Sequence, residues 1–438
     1  MNNRRLLFIV GLVLLFSIVI LVWYFVYVTP AITPSLAKPT NSLPTSPLTK
    51  GFQFIFGGGG PDTNNASTGS NQTTGTTSVP TTLQALTKVW DKPATGQTFV
   101  TRQILLDVFS TTTTKGTTTP LMVKKTIRAT STIFMFVDRA TGYIYEQDLK
   151  EGVTRQVTNT TVLGVHDAYI FENGTRVAIR SFDQDKQVIT TVLAIIPNSL
   201  PNGSPQSLTK MTSLPLGITS IATNKKGTLL SYLVPSTNGS AIYTITAKGG
   251  GLVSTSPFKE WSLSYGGDTL YATSNPSAYV LGMTVSLPSF EYRTGDKTGL
   301  MSNPGEKGTF LSSVWTDRGL VAFISQSQKE IVLSSPTLAS KCVWGVRDFL
   351  LCAVPVMIPI AEEGLPDDWF QGRTHFTDTL KIVDTTSGAT YPLYSFNESD
   401  GEMDITNPVL SPDNVSMGFI QKQNGSLWLL RTNLISVE

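Results

Sequence analysis

The stretch Val409-Leu-Ser-Pro-Asp-Asn414-Val-Ser-Met-Gly-Phe419, followed by Asn424-Gly-Ser-Leu-Trp428, decides how this chain folds. It reads as an apolar strand, a tight polar turn, a second apolar strand, a Gly turn and a third strand ending in Trp. Alternating strands joined by Gly, Asp or Asn turns are hairpins. The same hairpin unit recurs at Tyr169–Ile179, Ile221–Tyr232, Leu263–Tyr271, Val314–Phe323 and Val343–Cys352. A strand ending in an aromatic after a Gly turn recurs at Thr141–Tyr145 and Asn238–Tyr243. An Asp-x-x-(Thr/Ser)-Gly turn appears at Asp138–Gly142 and again at Asp384–Gly388.

Together the units give about four strands per repeat, and spacings between the turns run from 29 to 66 residues, several of them near 40–53, the period of propeller blades. A four-stranded sheet has two apolar faces, and radial stacking hides both while leaving short edges. The expected fold is therefore all-β, a β-propeller of about seven blades at 97–160, 161–213, 214–257, 258–302, 303–339, 340–400 and 401–433. Six or eight blades stay open because Phe99–Val123 and Tyr292–Gly308 are irregular. A pair of β-sandwiches is the competing architecture. Ring closure is expected between an early strand, Phe99–Phe109, and the late strand Leu427–Arg431.

Ser411-Pro-Asp413 before an apolar strand, with Asn424–Trp428 after it, resembles the repeat of TolB-like and WD-type β-propellers. The Asp138–Tyr145 stretch is similar. The resemblance implies a fold and assigns no activity. The chain departs from TolB, a soluble periplasmic protein with an α/β domain ahead of its propeller. In overall plan it is similar to membrane-anchored bacterial propellers.

That plan comes from the N-terminal part of the 438 residues. Residues 1–5 carry Arg4 and Arg5, and residues 6–28 form an uncharged, strongly apolar run. About 20 apolar residues in a helix cross a bilayer core. The positive flank predicts a single-pass signal anchor with a cytoplasmic N-terminus and an extracytoplasmic remainder. A cleaved signal peptide is the alternative; its apolar region is shorter, about 7–15 residues. Residues 29–96, rich in Pro, Thr, Ser and Gly, read as a disordered linker, and residues 97–438 as the propeller. Within the linker, Phe52-Gln-Phe-Ile-Phe56 fits either a docking strand for a partner's sheet edge or a strand folding back onto the domain or membrane.

Composition narrows function more by exclusion. Net charge is +2 with no basic stripe, so nothing argues for nucleic acid and none is expected as a partner. Charged residues make up 15%, well below the roughly 25% of ordinary soluble domains. No metal-ligand pattern or cofactor fingerprint is present, and two histidines, His166 and His375, sit in no catalytic motif. His166 reads as a satisfied histidine ahead of a strand. The two cysteines, Cys342 and Cys352, flank a turn that sets them opposite each other, and an oxidising compartment would permit a disulfide. Free buried thiols are the alternative.

The segment richest in chemistry is an insertion, Ile358–Asp378, expected to split a blade and stand at a rim of the ring. Its candidate binding residues are Asp367, Asp368, Trp369, Phe370, Arg373 and His375. Such a loop serves a binding surface, sugar binding or acid–base chemistry, a Ca²⁺ ion outside any EF-hand spacing, or merely a solvated cover with Trp369 plugging the rim or a blade interface. Glu398–Asp404 reads as an ordinary inter-blade turn. The expected function is an envelope scaffold that binds a protein or polysaccharide. The alternative is an extracytoplasmic hydrolase or lyase using the acidic rim loop.

Overall fold

The computed structural model describes residues 86–112, 121–198, 203–326, 329–345 and 349–432, with backbone pairing alone over 104–129. The apolar run 6–28, the linker up to residue 85 and Phe52–Phe56 lie outside the described residues. What is described is an all-β propeller of seven four-stranded antiparallel sheets.

The first strand, β1 (Leu86–Trp90), belongs to the last blade. Blade 1 is β2–β5 (Ala94–Thr112, Leu121–Asp138, Ile144–Asp148, Thr154–Gln156) and blade 2 is β6–β9 (Val165–Phe171, Arg176–Asp183, Val188–Ile195, Thr209–Ser213). Blade 3 is β10–β13 (Ser220–Thr223, Leu230–Ser236, Gly239–Thr246, Gly249–Ser256) and blade 4 is β14–β17 (Trp261–Gly266, Thr269–Ser274, Leu281–Ser286, Glu291–Thr298). Blade 5 is β18–β21 (Met301–Pro304, Phe310–Thr316, Gly319–Gln326, Lys329–Val332) and blade 6 is β22–β25 (Cys342–Trp344, Phe349–Pro355, Asp378–Asp384, Thr390–Tyr394). Blade 7 is β26–β28 (Ile405–Leu410, Ser416–Gln421, Leu427–Arg431), completed by β1 as its outer strand.

The first strands of successive blades touch around the axis, as β2 with β6, β6 with β10 and β22 with β26. Strands alternate in direction, which gives the ring two chemically different faces. First-to-second and third-to-fourth connections lie on the lower face; second-to-third and blade-to-blade connections lie on the upper. The core sits between blades. Val100, Ile133, Met135 and Ile144 of blade 1 pack on Ile170, Val177 and Ile179 of blade 2. Each such buried side chain contributes about 1.5–3 kcal/mol relative to exposure.

Closure differs from the sequence expectation. β1 pairs antiparallel with β28, Leu86 opposite Leu430 and Trp90 opposite Leu427. Phe99–Phe109 pairs instead with the strand that follows it, Phe99 opposite Phe134 and Phe109 opposite Lys124. The physical reason is that a hairpin partner close in sequence costs less loop entropy than one at the chain's far end. Among the described residues the first strand of the ring is thus Leu86–Trp90, within the span read as linker. Trp90 locks the closure: its ring lies 4.4 Å from Tyr145 and 5.4 Å from Phe136, and its Nε1–H donates to Asp138 Oδ2 at 2.9 Å.

The hairpin unit at Val314–Phe323 also differs in phase. It joins the second and third strands of blade 5, whereas the others join first and second. The Asp138 turn is built by its own carboxylate. Asp138 Oδ1 accepts from Ala140 N, Thr141 N and Thr141 Oγ1 at 2.9–3.0 Å. Gly142 closes it at φ +75°, where a Cβ would stand 2.7 Å from that of Val162.

In blade 6, Cys342 and Cys352 face each other across β22 and β23 with Cα atoms 4.1 Å apart, and a disulfide joins them.

Candidate functional site

The insertion leaves the upper end of β23 at Pro355 and returns at Asp378, the first residue of β24. It is therefore a rim loop on the upper face, and its middle carries a single-turn helix, α1 (Asp367–Phe370). The loop reaches past blade 5 to blade 4. Asp367 Oδ2 accepts the backbone N–H of Ala278, in the β15–β16 connection. Gly364 sits against Ala278 and the Trp315 indole at φ +103°, so close approach and backbone conformation both require glycine there.

Asp368 is fully buried. Its Oδ2 accepts Glu363 N–H at 3.0 Å, and Arg373 Nε lies 3.5 Å from its other oxygen. Arg373 also pairs with Glu363, whose hydrogen bond raises the guanidinium pKa further. Trp369 points inward, 2% exposed, among Leu338, Leu365 and Phe376. Phe370 is half-exposed. His375 is also half-exposed, its Nδ1 3.8 Å from Asp404 Oδ2.

Beneath the loop lies a charged cluster that composition did not reveal. Lys341, wholly buried, donates to Asp378 Oδ2 at 2.5 Å and Asp404 Oδ1 at 2.6 Å. Its Nζ stands 4.7 Å from the Phe376 ring and 5.3 Å from the Trp369 ring. Asp404 further accepts from Trp369 Nε1 and Phe376 N, and Asp378 Oδ2 from Ile405 N. Lys422 donates to Trp369 O at 2.5 Å and lies 4.7 Å from its ring. Burial pushes the Lys422 ammonium below its usual range, with Asp404 opposing and Lys341 adding to the shift. Burial likewise pushes the Asp378 carboxyl up, against the pull of Lys341.

The Glu398–Asp404 segment is thus an inter-blade connection whose last residue is a buried anchor. Sequence reading missed Lys341, Asp378 and Asp404 as a unit. The available signal was a lone Lys between Leu338-Ala-Ser and Cys342, and a lone Asp between Met403 and Ile405. Charges isolated in apolar surroundings are buried only when paired. The structure brings Glu363, Asp368 and Arg373 together, and Trp369 with Asp404. His166, in blade 2, stands apart, with Nδ1 3.4 Å from Asp167 Oδ2. Among the described residues, no group of three or more His, Cys, Asp or Glu is placed to hold a metal ion.

No family model and no curated protein matches the chain. Solved structures of similar shape include an oligogalacturonate lyase from Vibrio parahaemolyticus, 10% identical over 75% of this chain and 98% of that one, TM-score 0.44. The propeller domain of the Trilobed protease from Pyrococcus furiosus is 11% identical over 62% of this chain and 82% of its own, TM-score 0.39. The Cps50 (Swd1) propeller domain of Myceliophteria thermophila is 8% identical over 68% of this chain and 93% of its own, TM-score 0.41.

Proposed function

We propose that this chain is a membrane-tethered, extracytoplasmic propeller that binds an envelope protein or polymer through its upper face. The observation that carries this reading is where exposed apolar side chains collect. Leu163, Leu216 and Phe258 stand on blade-to-blade connections of the upper face. Tyr279 and Val280 stand on the β15–β16 connection, and Met357, Ile360 and Phe370 on the rim loop. Ile360 is 97% exposed. The Asp367–Ala278 contact sets Tyr279 and Val280 beside the rim loop, so exposed apolar side chains of blades 4 and 6 adjoin on the upper face, which supports an interaction site there.

The carboxylates of the rim loop support binding over acid–base use. Asp368 is buried, and Asp367 holds the Ala278 amide. A general acid or base must reach the proton it transfers. The Cys342–Cys352 disulfide accords with an extracytoplasmic location.

The test is site-specific photo-cross-linking in the native cell, with a photoreactive residue at Ile360 and, as the lower-face control, at Asp413. The expected result is one recurrent adduct from position 360 and none from 413. Equal, diffuse labelling from both would end the proposal. Turnover of an envelope polysaccharide by the purified chain, abolished by Asp367→Ala, would replace it with the hydrolase or lyase reading.

A further inference from the structure

Nine Asn-x-Ser/Thr triplets in which x is not Pro occur along the chain. This triplet is the acceptor signal for an N-linked glycan, a bulky polar group that has to stand in water. On a folded domain the reaction needs an Asn with its Nδ2 available and a hydroxyl two residues on that a transferase can reach. Asn65, Asn71 and Asn202 lie outside the described residues, and the structure sorts the other six.

Asn414 is buried. Asn159 and Asn173 are exposed, but their Nδ2 groups donate to backbone carbonyls, those of Pro205 at 3.2 Å and Thr101 at 2.7 Å. Asn238 and Asn424 lie in hairpin turns, where their serines, Ser240 and Ser426, are buried. Ser240 Oγ donates to Phe258 O, and Ser426 Oγ accepts from Trp428 Nε1. Asn397 has neither defect. Asn397, Glu398 and Ser399 are all exposed, on the connection between β25 and β26 on the upper face.

The loop is built before anything binds. Asp400 Oδ2 accepts the Asn397 N–H at 3.0 Å and the Tyr394 hydroxyl at 3.4 Å. Asn397 Oδ1 accepts from Ser399 Oγ at 2.5 Å, Ser399 N at 2.9 Å and Asp400 N at 3.2 Å. Nδ2 is left as the one amide atom of this side chain with no hydrogen bond among the described residues. The Ser399 hydroxyl already touches the carboxamide. A hydrogen bond to the oxygen, where charge collects as the nitrogen loses a proton, favours that loss.

We propose that Asn397 is the acceptor of an N-linked oligosaccharide. The glycan stands on the upper face and bounds the binding surface on its blade 7 side, because the same connection ends at Asp404, the partner of Trp369 in the rim loop. The proposal rests on the extracytoplasmic reading above, since the donor is an oligosaccharide linked to a lipid phosphate and used on the outer side of the membrane. A bond forms between Asn397 Nδ2 and the anomeric carbon of the first sugar. That carbon's bond to the phosphate oxygen breaks, and the lipid phosphate leaves with the electron pair. One amide proton passes to a base of the transferase.

The test is glycopeptide mass spectrometry on the full chain purified from its native cells. The peptide holding Asn397 should carry the added mass of an oligosaccharide, and those holding Asn159, Asn173, Asn238, Asn414 and Asn424 should not. Asn397→Gln and Ser399→Ala should each abolish that mass, while Ser399→Thr should keep it. Both side chains are exposed, so these variants should fold as the parent does. An unmodified Asn397 would overturn the proposal, and so would a glycan that survives Ser399→Ala. Protease added to intact cells separates this outcome from the reading beneath it. A chain cleaved from outside yet bare at Asn397 overturns the proposal alone. A chain both protected and bare overturns the extracytoplasmic reading with it.

Discussion

Trp369 donates its indole N–H to both carboxylate oxygens of Asp404, at 3.1 and 3.0 Å, tying the rim loop of blade 6 to the start of blade 7. Hydrogen bonds to charged groups contribute about 1.5–3 kcal/mol. Trp369→Phe keeps an aromatic in the pocket and removes the donor. It should lower unfolding free energy by about that amount, read by urea denaturation. Limited proteolysis should cut within 356–377 faster than in the parent. Unchanged stability and cleavage would refute the anchoring role.

Lys341 is the shared partner of two buried carboxyl groups, those of Asp378 and Asp404. Removing one partner of a buried pair costs about 3–5 kcal/mol, because the charges left behind lose their compensation. Lys341→Met should destabilise by that order. Adding Asp404→Asn should restore part of the loss, since it removes one stranded charge. A double variant no more stable than the single would show that packing, not charge, dominates the site.

The cluster also gives the protein a pH dependence of definite sign. Burial raises Asp378 above its ordinary value of 3.8. The folded state therefore holds this proton more tightly than the unfolded chain. The group's contribution is complete below about pH 4 and is lost as pH rises through its folded value. Asp378→Asn should flatten that part of the stability profile. The comparison is urea midpoints for both proteins across the acid range, and parallel profiles would contradict it.

Trp90 fastens the closing strand. Replacing a buried Trp by Ala costs about 3–5 kcal/mol. Trp90→Ala should reach the lower part of that range, as the ring is only partly buried. It should also speed hydrogen exchange in β1 and β28 more than in blade 4. Uniform acceleration around the ring would mean that closure is not local.

Gly388 and Gly152 separate two costs of glycine replacement. Both have φ +71°, but an added Cβ at 388 would lie 2.5 Å from the Val332 carbonyl, and at 152 it meets nothing within 4 Å. Gly152→Ala should cost about 1–2 kcal/mol, the left-handed penalty alone. Gly388→Ala should cost clearly more. Equal thermal shifts would show that the blade 5–6 contact yields freely.

Most of the fold was readable because hairpins are local. Asn173-Gly174 between alternating runs specifies its turn without reference to anything distant. Leu86–Trp90 was not readable as a strand, since five residues beside a Pro- and Thr-rich tract show too little alternation. Its partner, β28, lies at the other end of the chain. The rim loop was visible as an acidic insertion at Ile358–Asp378. The burial of Asp368 was not, because it depends on neighbours that only folding supplies. The phase of blade 5 was missed because Gly319 forms the same kind of turn one strand later.

Closure by β1 also has a mechanical meaning. Leu86 is where residues 1–85 join the ring, so a pull arriving from that side first loads the five-residue strand that shuts it. A force along the β1 axis stresses its bonds to β28 in shear, together rather than one by one, and passes through Trp90 into blade 1. The strand that fastens the ring is then also the first to meet tension, and its detachment would leave blade 7 with three strands, β26–β28.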